Sequence, residues 1–147
     1  MNTLERTVGI KLLQLHHELY VRSGGRIGQG WLGVPCLLLT TTGAKSGLER
    51  VNSLTYAEDD GQYVLVASKG GAPQSPAWFH NAKANPQVKV QIGTRKFDAT
   101  AHVVRKGDAD YDRLWKLAND NNKNRYDAYQ RATERPIPIL VLRPKSS

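Results

Sequence analysis

The sequence predicts an α+β domain, mainly β, in which about six antiparallel strands close into a small barrel. Short apolar or alternating runs recur from residue 36 onward, and turn signals separate most of them. The first three runs follow one another without a crossover helix, which argues against a parallel sheet. A length of 147 residues with 39% hydrophobic and 23% charged residues is typical of one globular domain, and we expect residues 1–147 to form it.

The N-terminal part is predicted to form a helix over residues 4–22, followed by a glycine-rich connecting loop over residues 23–33. Thr3 is a candidate N-cap of this helix. The stripe of aliphatic side chains at helical spacing consists of Leu4, Val8, Leu12, Leu15 and Leu19. We expect this helix to pack on the barrel; the alternatives are that it covers a pocket or lies on a membrane surface.

Six strands are predicted from apolar alternation and from the turns between the runs. They are Cys36–Thr42, Arg50–Glu58, Gln62–Ser68, Val88–Ile92, Arg95–Val104 and Ile137–Leu142. Asp60-Gly61 is a strong hairpin sequence. Pro138 indicates that the last strand lies at an edge or a bulge, because proline has no N–H for the ladder. Cys36 is expected to be a buried strand residue.

Three helices are predicted between these strands. The first is short and reaches about Ala84, with Ser75 as its N-cap and Pro76 as its first helical residue. The second covers residues 108–119, where apolar side chains share one side. The third covers residues 125–133.

The formal charge is +8 at pH 7, from 21 Lys plus Arg against 13 Asp plus Glu. This surplus suits an anionic partner, such as a phosphorylated cofactor, nucleic acid or an acidic membrane face. No apolar run has the length of a membrane span, no secretory signal is evident, and a single cysteine fits a reducing compartment. We therefore expect a cytoplasmic protein, with peripheral membrane contact through the N-terminal helix left open. The four histidines lack the spacing of a common zinc motif, so no metal site is predicted.

The first segment that could carry chemistry is the glycine-bounded turn at residues 43–47. Such a turn exposes backbone N–H groups and can form an anion-binding nest. Lys45 offers a point charge at its tip, and Arg50 opens the next strand with a planar fork that matches phosphate. The alternative is a solvated hairpin with incidental charges.

The second segment runs from the end of the third strand, Val66–Ala72, into the start of the short helix, Ser75–Asn81. Free N–H groups at a helix N-terminus suit an anionic or planar ligand. A Gly-Gly pair before the helix would let a ligand approach the backbone closely. In the alternative interpretation, Trp78 and Phe79 are core residues and the glycines only form a turn.

A third segment contains Tyr126 and Tyr129, which are three residues apart and therefore share one helix face. They could line a pocket with an aromatic wall and a hydroxyl donor. The alternative is that both rings pack on the barrel with their hydroxyl groups in water. His80 lies on the short helix and is expected to have a structural or ligand-adjacent role rather than that of a general base.

The motifs of these segments occur in one order along residues 30–143. They are Pro35–Gly47, Arg50–Leu54, Ala67–Gly71, Pro76–Asn81, Ala84–Pro86, Tyr126, Tyr129 and Arg135–Ile139. Together they resemble the deazaflavin-dependent nitroreductase and quinone reductase family. The resemblance implies a split β-barrel of the FMN-binding-like type that binds coenzyme F420. It also implies that the reduced coenzyme delivers a hydride to a small-molecule acceptor, namely a quinone, a nitroaromatic compound or an activated enone.

The resemblance further implies which residues form the site. Tyr126 and Tyr129 are the implied catalytic residues on the acceptor side, and Tyr129 also contacts the cofactor. The other implied cofactor contacts are Ala44, Lys45, Ser46, Arg50, Val51, Asn52, Ser53, Leu54, Thr55, Val66, Ala67, Ser68, Lys69, Ala77, Trp78, Phe79, His80 and Asn81. Two positions depart from the family pattern: Leu48-Glu49 adds a negative charge near the anion site, and Thr55 stands where a tyrosine is expected.

Two other functions stay open from the residues alone. A flavin mononucleotide enzyme on the same type of barrel would use the same phosphate-binding turn. A cofactor carrier or a nucleic-acid-binding module is also compatible with a small basic barrel. Nucleic acid is not expected, however, because the basic residues are spread along the chain and only 7% of residues are aromatic. The physiological acceptor and the oligomeric state are not predicted.

Overall fold

The computed structural model describes residues 14–23, 30–31, 34–71 and 73–145. The strands are β1 (Gly30–Trp31), β2 (Val34–Thr42), β3 (Glu49–Thr55), β4 (Ala57–Asp59), β5 (Gln62–Val66), β6 (Gln87–Ile92), β7 (Arg95–Val104) and β8 (Ile139–Pro144). The helices are α1 (residues 14–22), α2 (Ala77–Ala84), α3 (Tyr111–Asn121) and α4 (Arg125–Arg131), and Lys69–Gly71 forms a 3₁₀ turn. The predicted residues 4–13 of the first helix and its cap Thr3 lie outside the described residues.

The strands form one curled antiparallel sheet in the order β1-β2-β6-β7-β8-β5-β4, with β3 paired to the other side of β2. β3 and β4 correspond to the single predicted strand Arg50–Glu58 and are separated only by Tyr56. Because β3 pairs with β2 and β4 pairs with β5, the chain at Tyr56 joins the two ends of the sheet. The prediction of a small antiparallel split barrel is therefore confirmed.

The strand directions bring several connections to one end of the barrel. Because every pairing is antiparallel, β2, β5 and β7 end where β3, β6 and β8 begin. We call this end, marked by Thr42, Val66 and Ile139, the upper rim. The turn at residues 43–47, the 3₁₀ turn and α2 all connect strands at the upper rim.

Two apolar clusters hold the barrel and its helices together. The inner cluster fills the barrel with aliphatic side chains such as Leu39 and Leu140, and it includes Trp78 and Phe79 of α2. The outer cluster lies between the sheet and helices α3 and α4; its members include Tyr111, Leu114, Tyr126, Ile137 and Val141. Burial of these side chains is the main source of stability for the fold.

Helix α1 packs on the outer surface of the sheet, as expected, but not through Leu15 and Leu19, the members of the predicted stripe that lie within the described residues. Leu15 and Leu19 are 55% and 43% exposed, whereas Tyr20 is fully buried with Cys36 and Leu38. The Tyr20 hydroxyl accepts the N–H of Gly93 at 3.0 Å and lies 3.1 Å from the carbonyl oxygen of Cys36. The buried tyrosine satisfies polar groups that a leucine could not, and this decides which face is covered.

Cys36 is buried on β2, as predicted. Burial raises the pKa of its thiol to about 11, so the thiol is neutral at physiological pH. Among the described residues, no cluster of three or more His, Cys, Asp or Glu side chains could hold a metal ion. None of the helices in the described ranges is long and apolar enough to cross a membrane.

Three further local predictions are wrong. The N-cap of α2 is Pro76 rather than Ser75, whose hydroxyl instead accepts a hydrogen bond from Arg135. Part of the predicted loop over residues 23–33 forms β1, which pairs with β2. The last strand begins at Ile139 and lies inside the sheet between β5 and β7, because Pro138 stands just before the ladder, where its missing N–H costs nothing.

Candidate active site

The turn at residues 43–47 connects β2 to β3 at the upper rim. The N–H of Gly43 bonds to the carbonyl of Leu48 at 2.8 Å, and the N–H of Gly47 bonds to that of Gly43 at 3.0 Å. The N–H groups of Lys45 and Ser46 have no acceptor in the described part of the chain. Two adjacent N–H groups without a protein acceptor, beside an exposed lysine, form a suitable site for an anion.

Asn81 of α2 holds this turn in place. It is only 9% exposed, its Oδ1 accepts the N–H of Ala44 at 3.0 Å, and its Nδ2 donates to the Thr41 hydroxyl at 3.3 Å. Thr41 lies opposite Arg50 in the β2–β3 ladder. Both polar atoms of the Asn81 amide are therefore hydrogen-bonded within the protein, and they link α2 to β2 and to the turn that follows it.

The 3₁₀ turn brings Lys69 next to α4. The N–H of Gly71 bonds to the carbonyl of Ser68 at 2.9 Å, and Lys69 is exposed. The backbone of Gly71 lies so close to α4 that an added Cβ would be 2.7 Å from the carbonyl oxygen of Tyr129 and 2.9 Å from the Cβ of Ala132. The 3₁₀ turn that carries Lys69 therefore packs, through Gly71, against the backbone of α4 at Tyr129.

Arg135 ties the end of β5 to the start of α2. Its guanidinium donates to the carbonyls of Ala67 at 3.1 Å and Ser68 at 2.9 Å, and to the hydroxyl of Ser75 at 3.3 Å. Burial lowers the pKa of Arg135 below its ordinary value. Sequence reasoning gave this arginine no site role, because its acceptors are mostly backbone carbonyls that carry no residue-type signal.

The predicted catalytic tyrosines lie along the outside of the barrel on α4. Tyr126 is buried, and its hydroxyl is 2.9 Å from the hydroxyl of Thr55 at the far end of β3. The ring of Tyr129 meets that of Tyr126 edge to face at 6.2 Å. Burial raises the pKa of Tyr126, although the bond to Thr55 opposes the shift, so the phenol is protonated and can donate a hydrogen bond.

A cavity of about 630 Å³ lies between α1 and the outward face of β3. Its lining residues are Gln14, His16, His17, Glu18, Cys36, Val51, Asn52, Ser53 and Thr55. The Nδ1 atom of His17 is 2.5 Å from the Ser53 hydroxyl oxygen, so α1 is hydrogen-bonded to the strand predicted to contact the cofactor. His17 was not identified from the sequence, because it lies before residue 30, outside the motifs on which the resemblance rests.

Several of the predicted cofactor contacts are core residues. The side chains of Leu54, Ala67, Trp78 and Phe79 belong to or pack on the inner cluster, and Val66 belongs to the outer cluster. The packing interpretation of the two aromatic residues therefore describes their side chains. Ala77 and His80, by contrast, are exposed on α2.

The sequence of this chain is similar to those of known proteins. The family model described as F420H(2)-dependent quinone reductase matches residues 12–144. An F420H(2)-dependent quinone reductase of Mycobacterium tuberculosis is 54% identical over 140 residues, which cover 95% of this chain and 94% of the relative.

Solved structures agree. The structure of an F420-H2 dependent reductase, FDR-A, is 43% identical with a TM-score of 0.66, over 74% of this chain and 93% of the other. A structure described as a domain-swapped dimer is 38% identical with a TM-score of 0.68, over 91% of this chain and 98% of the other. With the motifs in the expected order on a split barrel, this chain belongs to the F420H(2)-dependent quinone reductase family.

Proposed function

We propose that this protein is an F420H2-dependent quinone reductase, which transfers a hydride from the reduced deazaflavin to a quinone. The observation that carries the proposal is the distribution of chemistry along β3. The anion-binding turn is at the upper rim, where β3 begins, whereas Thr55, bonded to Tyr126, is the last residue of that strand. An extended strand from Glu49 to Thr55 spans about 20 Å, which suits an elongated ligand with an anionic end and an aromatic end.

The donor chemistry at the upper rim fits a phosphate-bearing cofactor. Lys45, Arg50 and Lys69 are exposed cations, and the N–H groups of Lys45 and Ser46 have no acceptor in the described residues. Lysine binds phosphate as a point charge, and arginine binds it through two parallel hydrogen bonds. The net charge of +8 adds a long-range attraction for a polyanion.

The remaining residues position the reactants. When bound, the reduced coenzyme supplies the hydride, so the chain itself needs no catalytic dyad. Tyr129, held against the Lys69 turn by Gly71, forms the junction between the two ends of the site. The Tyr126 phenol is protonated at physiological pH, since burial raises its pKa still further, and it donates a hydrogen bond to the acceptor. Nitroaromatic compounds and activated enones are further acceptors, because they also take up a hydride.

Cofactor selectivity tests the proposal directly. We expect equilibrium dialysis to give much tighter binding of F420 than of FMN, and turnover with F420H2 and menadione but not with NADPH. Arg50→Ala should weaken F420 binding about ten- to a hundredfold, because a hydrogen bond to a charged group contributes roughly 1.5–3 kcal/mol. Arg50→Lys should lose less affinity for F420, since lysine keeps the positive charge although it lacks the planar guanidinium.

The matched control for this series is Lys145→Ala, which removes an exposed cation near the C-terminal end of β8 and should leave the affinity unchanged. The difference in F420 affinity between the parent protein and the Arg50 variants should be smaller at high salt, because part of the electrostatic attraction is screened. Equal or tighter binding of FMN would favour the flavin alternative. If Arg50→Ala binds F420 as tightly as the parent protein does at low salt, the turn at residues 43–47 is only a solvated hairpin.

The role of Tyr126 is tested with two substitutions that break the same hydrogen bond. Tyr126→Phe removes the phenol, and Thr55→Val removes its partner while leaving the phenol in place. If the phenol donates to the acceptor, Tyr126→Phe should lower kcat about tenfold with F420 affinity nearly unchanged, and Thr55→Val should lower kcat much less. If the two variants lower kcat equally, the phenol of Tyr126 contributes to packing and does not donate a hydrogen bond to the acceptor.

A further inference from the structure

The cavity between α1 and β3 contains a histidine that the proposed site does not yet use. His17 is half-buried in its wall, with Nδ1 held 2.5 Å from the Ser53 hydroxyl. No partner for its Nε2 is found in the described residues. One ring nitrogen is therefore fixed to the strand, and the other is available to a ligand.

His17 differs in this respect from the other polar groups that α1 brings to the cavity. His16 packs edge to face on the ring of Tyr20 at 6.2 Å, and the Glu18 carboxylate lies 3.9 Å from the guanidinium of Arg22. Cys36 is buried on β2. His17 lines the cavity and is hydrogen-bonded to β3 through Ser53.

The cavity also reaches Thr55, the hydrogen-bond partner of Tyr126. Ser53 and Thr55 both line it, and residues two apart on a strand project from the same face. Ser53 bonds His17, whereas Thr55 bonds the Tyr126 phenol at 2.9 Å. The two hydroxyl groups thus connect two proton donors, one on α1 and one on α4, to neighbouring positions of one strand.

We propose that this cavity holds the quinone and that His17 is a catalytic proton donor to it, an inference that rests on the proposed function. A volume of about 630 Å³ is within the range of small-molecule sites, which is roughly 300–1,000 Å³. Polar groups at the wall would orient the two carbonyl oxygens of the quinone.

The protons and electrons balance in this scheme. Reduction of a quinone to a hydroquinone takes two electrons and two protons, and the hydride brings both electrons and one proton. The second proton passes from Nε2–H of the His17 imidazolium to a quinone oxygen, where the O–H bond forms as the N–H bond breaks. Neutral His17 then takes a proton from water, and the proton lost from the oxidised coenzyme is released to solvent.

The test compares His17→Gln, His17→Ala and the control His102→Gln, whose histidine lies on β7 outside the cavity. Turnover is measured with F420H2 and menadione, with and without added imidazole. Binding of menadione to the cofactor-free protein is measured by calorimetry. We expect His17→Gln to lower kcat about a hundredfold, in line with the contribution of a general acid, with KM for F420H2 unchanged.

Two further results are expected from a proton donor. Imidazole should restore part of the kcat of His17→Ala, and cofactor-free His17→Gln should bind menadione within about threefold of the parent. His102→Gln should behave as the parent does.

The inference is overturned if His17→Gln keeps parental kcat while the parent is active. It is also overturned if kcat falls but imidazole restores nothing and menadione binding is lost, since that pattern indicates packing. A parent that oxidises F420H2 with no quinone removes the proposed function and this inference together.

Discussion

Gly71→Ala is expected to lower the free energy of unfolding by about 3 kcal/mol and the melting temperature by roughly 10 °C. Gly71 has φ +83°, a left-handed conformation that costs a residue with a Cβ about 1–2 kcal/mol. The new Cβ would also lie 2.7 Å from the carbonyl oxygen of Tyr129, which must shift with α4. Overpacking of this kind adds about 1–3 kcal/mol. Thermal and urea unfolding measure the loss.

Gly61→Ala is the matched control for this prediction. Gly61 has the same φ of +83°, but nothing lies within 4 Å of the position of its Cβ, so only the backbone cost of about 1–2 kcal/mol applies. Because Gly71 packs the turn that carries Lys69 against α4, Gly71→Ala should also weaken F420 binding, whereas Gly61→Ala should not. Equal losses of stability in the two variants would mean that α4 yields without cost.

Arg135→Met is expected to lower the free energy of unfolding by about 3 kcal/mol, because the carbonyls of Ala67 and Ser68 lose a charged hydrogen-bond donor. Both residues are buried, so water does not fully replace the guanidinium. The same substitution releases the Ser75 hydroxyl before α2. We therefore expect weaker F420 binding together with a lower urea midpoint, since the end of β5 and the start of α2 lose their common anchor.

Arg143→Met serves as the control, because Arg143 is exposed on β8 and, among the described residues, its guanidinium bonds the side chains of Gln62 and His102, at 3.3 and 3.4 Å. Its loss should change stability by less than about 0.5 kcal/mol. Arg135→Lys should fall between the parent and Arg135→Met, since an ammonium keeps the charge but cannot reach three acceptors with a planar fork. If the urea midpoint of Arg135→Met equals that of the parent protein, the three hydrogen bonds of Arg135 do not stabilise the fold.

Local chemistry explains the parts of the fold that could be predicted from the sequence. Asp60-Gly61 adopts the positive φ values, +50° and +83°, that a tight hairpin needs. Short apolar or alternating runs, with the turns between them, located the strands that pair as β2, β5, β6 and β7. These features depend on neighbouring residues alone, so periodicity and turn chemistry were sufficient to find them.

The choice of buried face on α1 could not be predicted in this way. Helical spacing identified a stripe that includes Leu15 and Leu19, but the structure covers the face that carries Tyr20. The covered face is decided by polar groups of β2 and of the turn after β6, which only a hydroxyl satisfies. An apolar pattern says that a helix is amphipathic but not which polar partners it will meet.

The sequence by itself determined the barrel class, the family motifs and the residue types of the candidate site. Only the tertiary structure decided how these segments are held together, through contacts between residues far apart in the chain. Asn81 reaches Ala44 across 37 positions, His17 reaches Ser53 across 36, and Arg135 reaches Ala67 across 68. The physical reason is that the partners in these contacts are mostly backbone N–H and carbonyl groups. Every residue carries such groups, so residue type cannot reveal a contact that exists only once the barrel has closed.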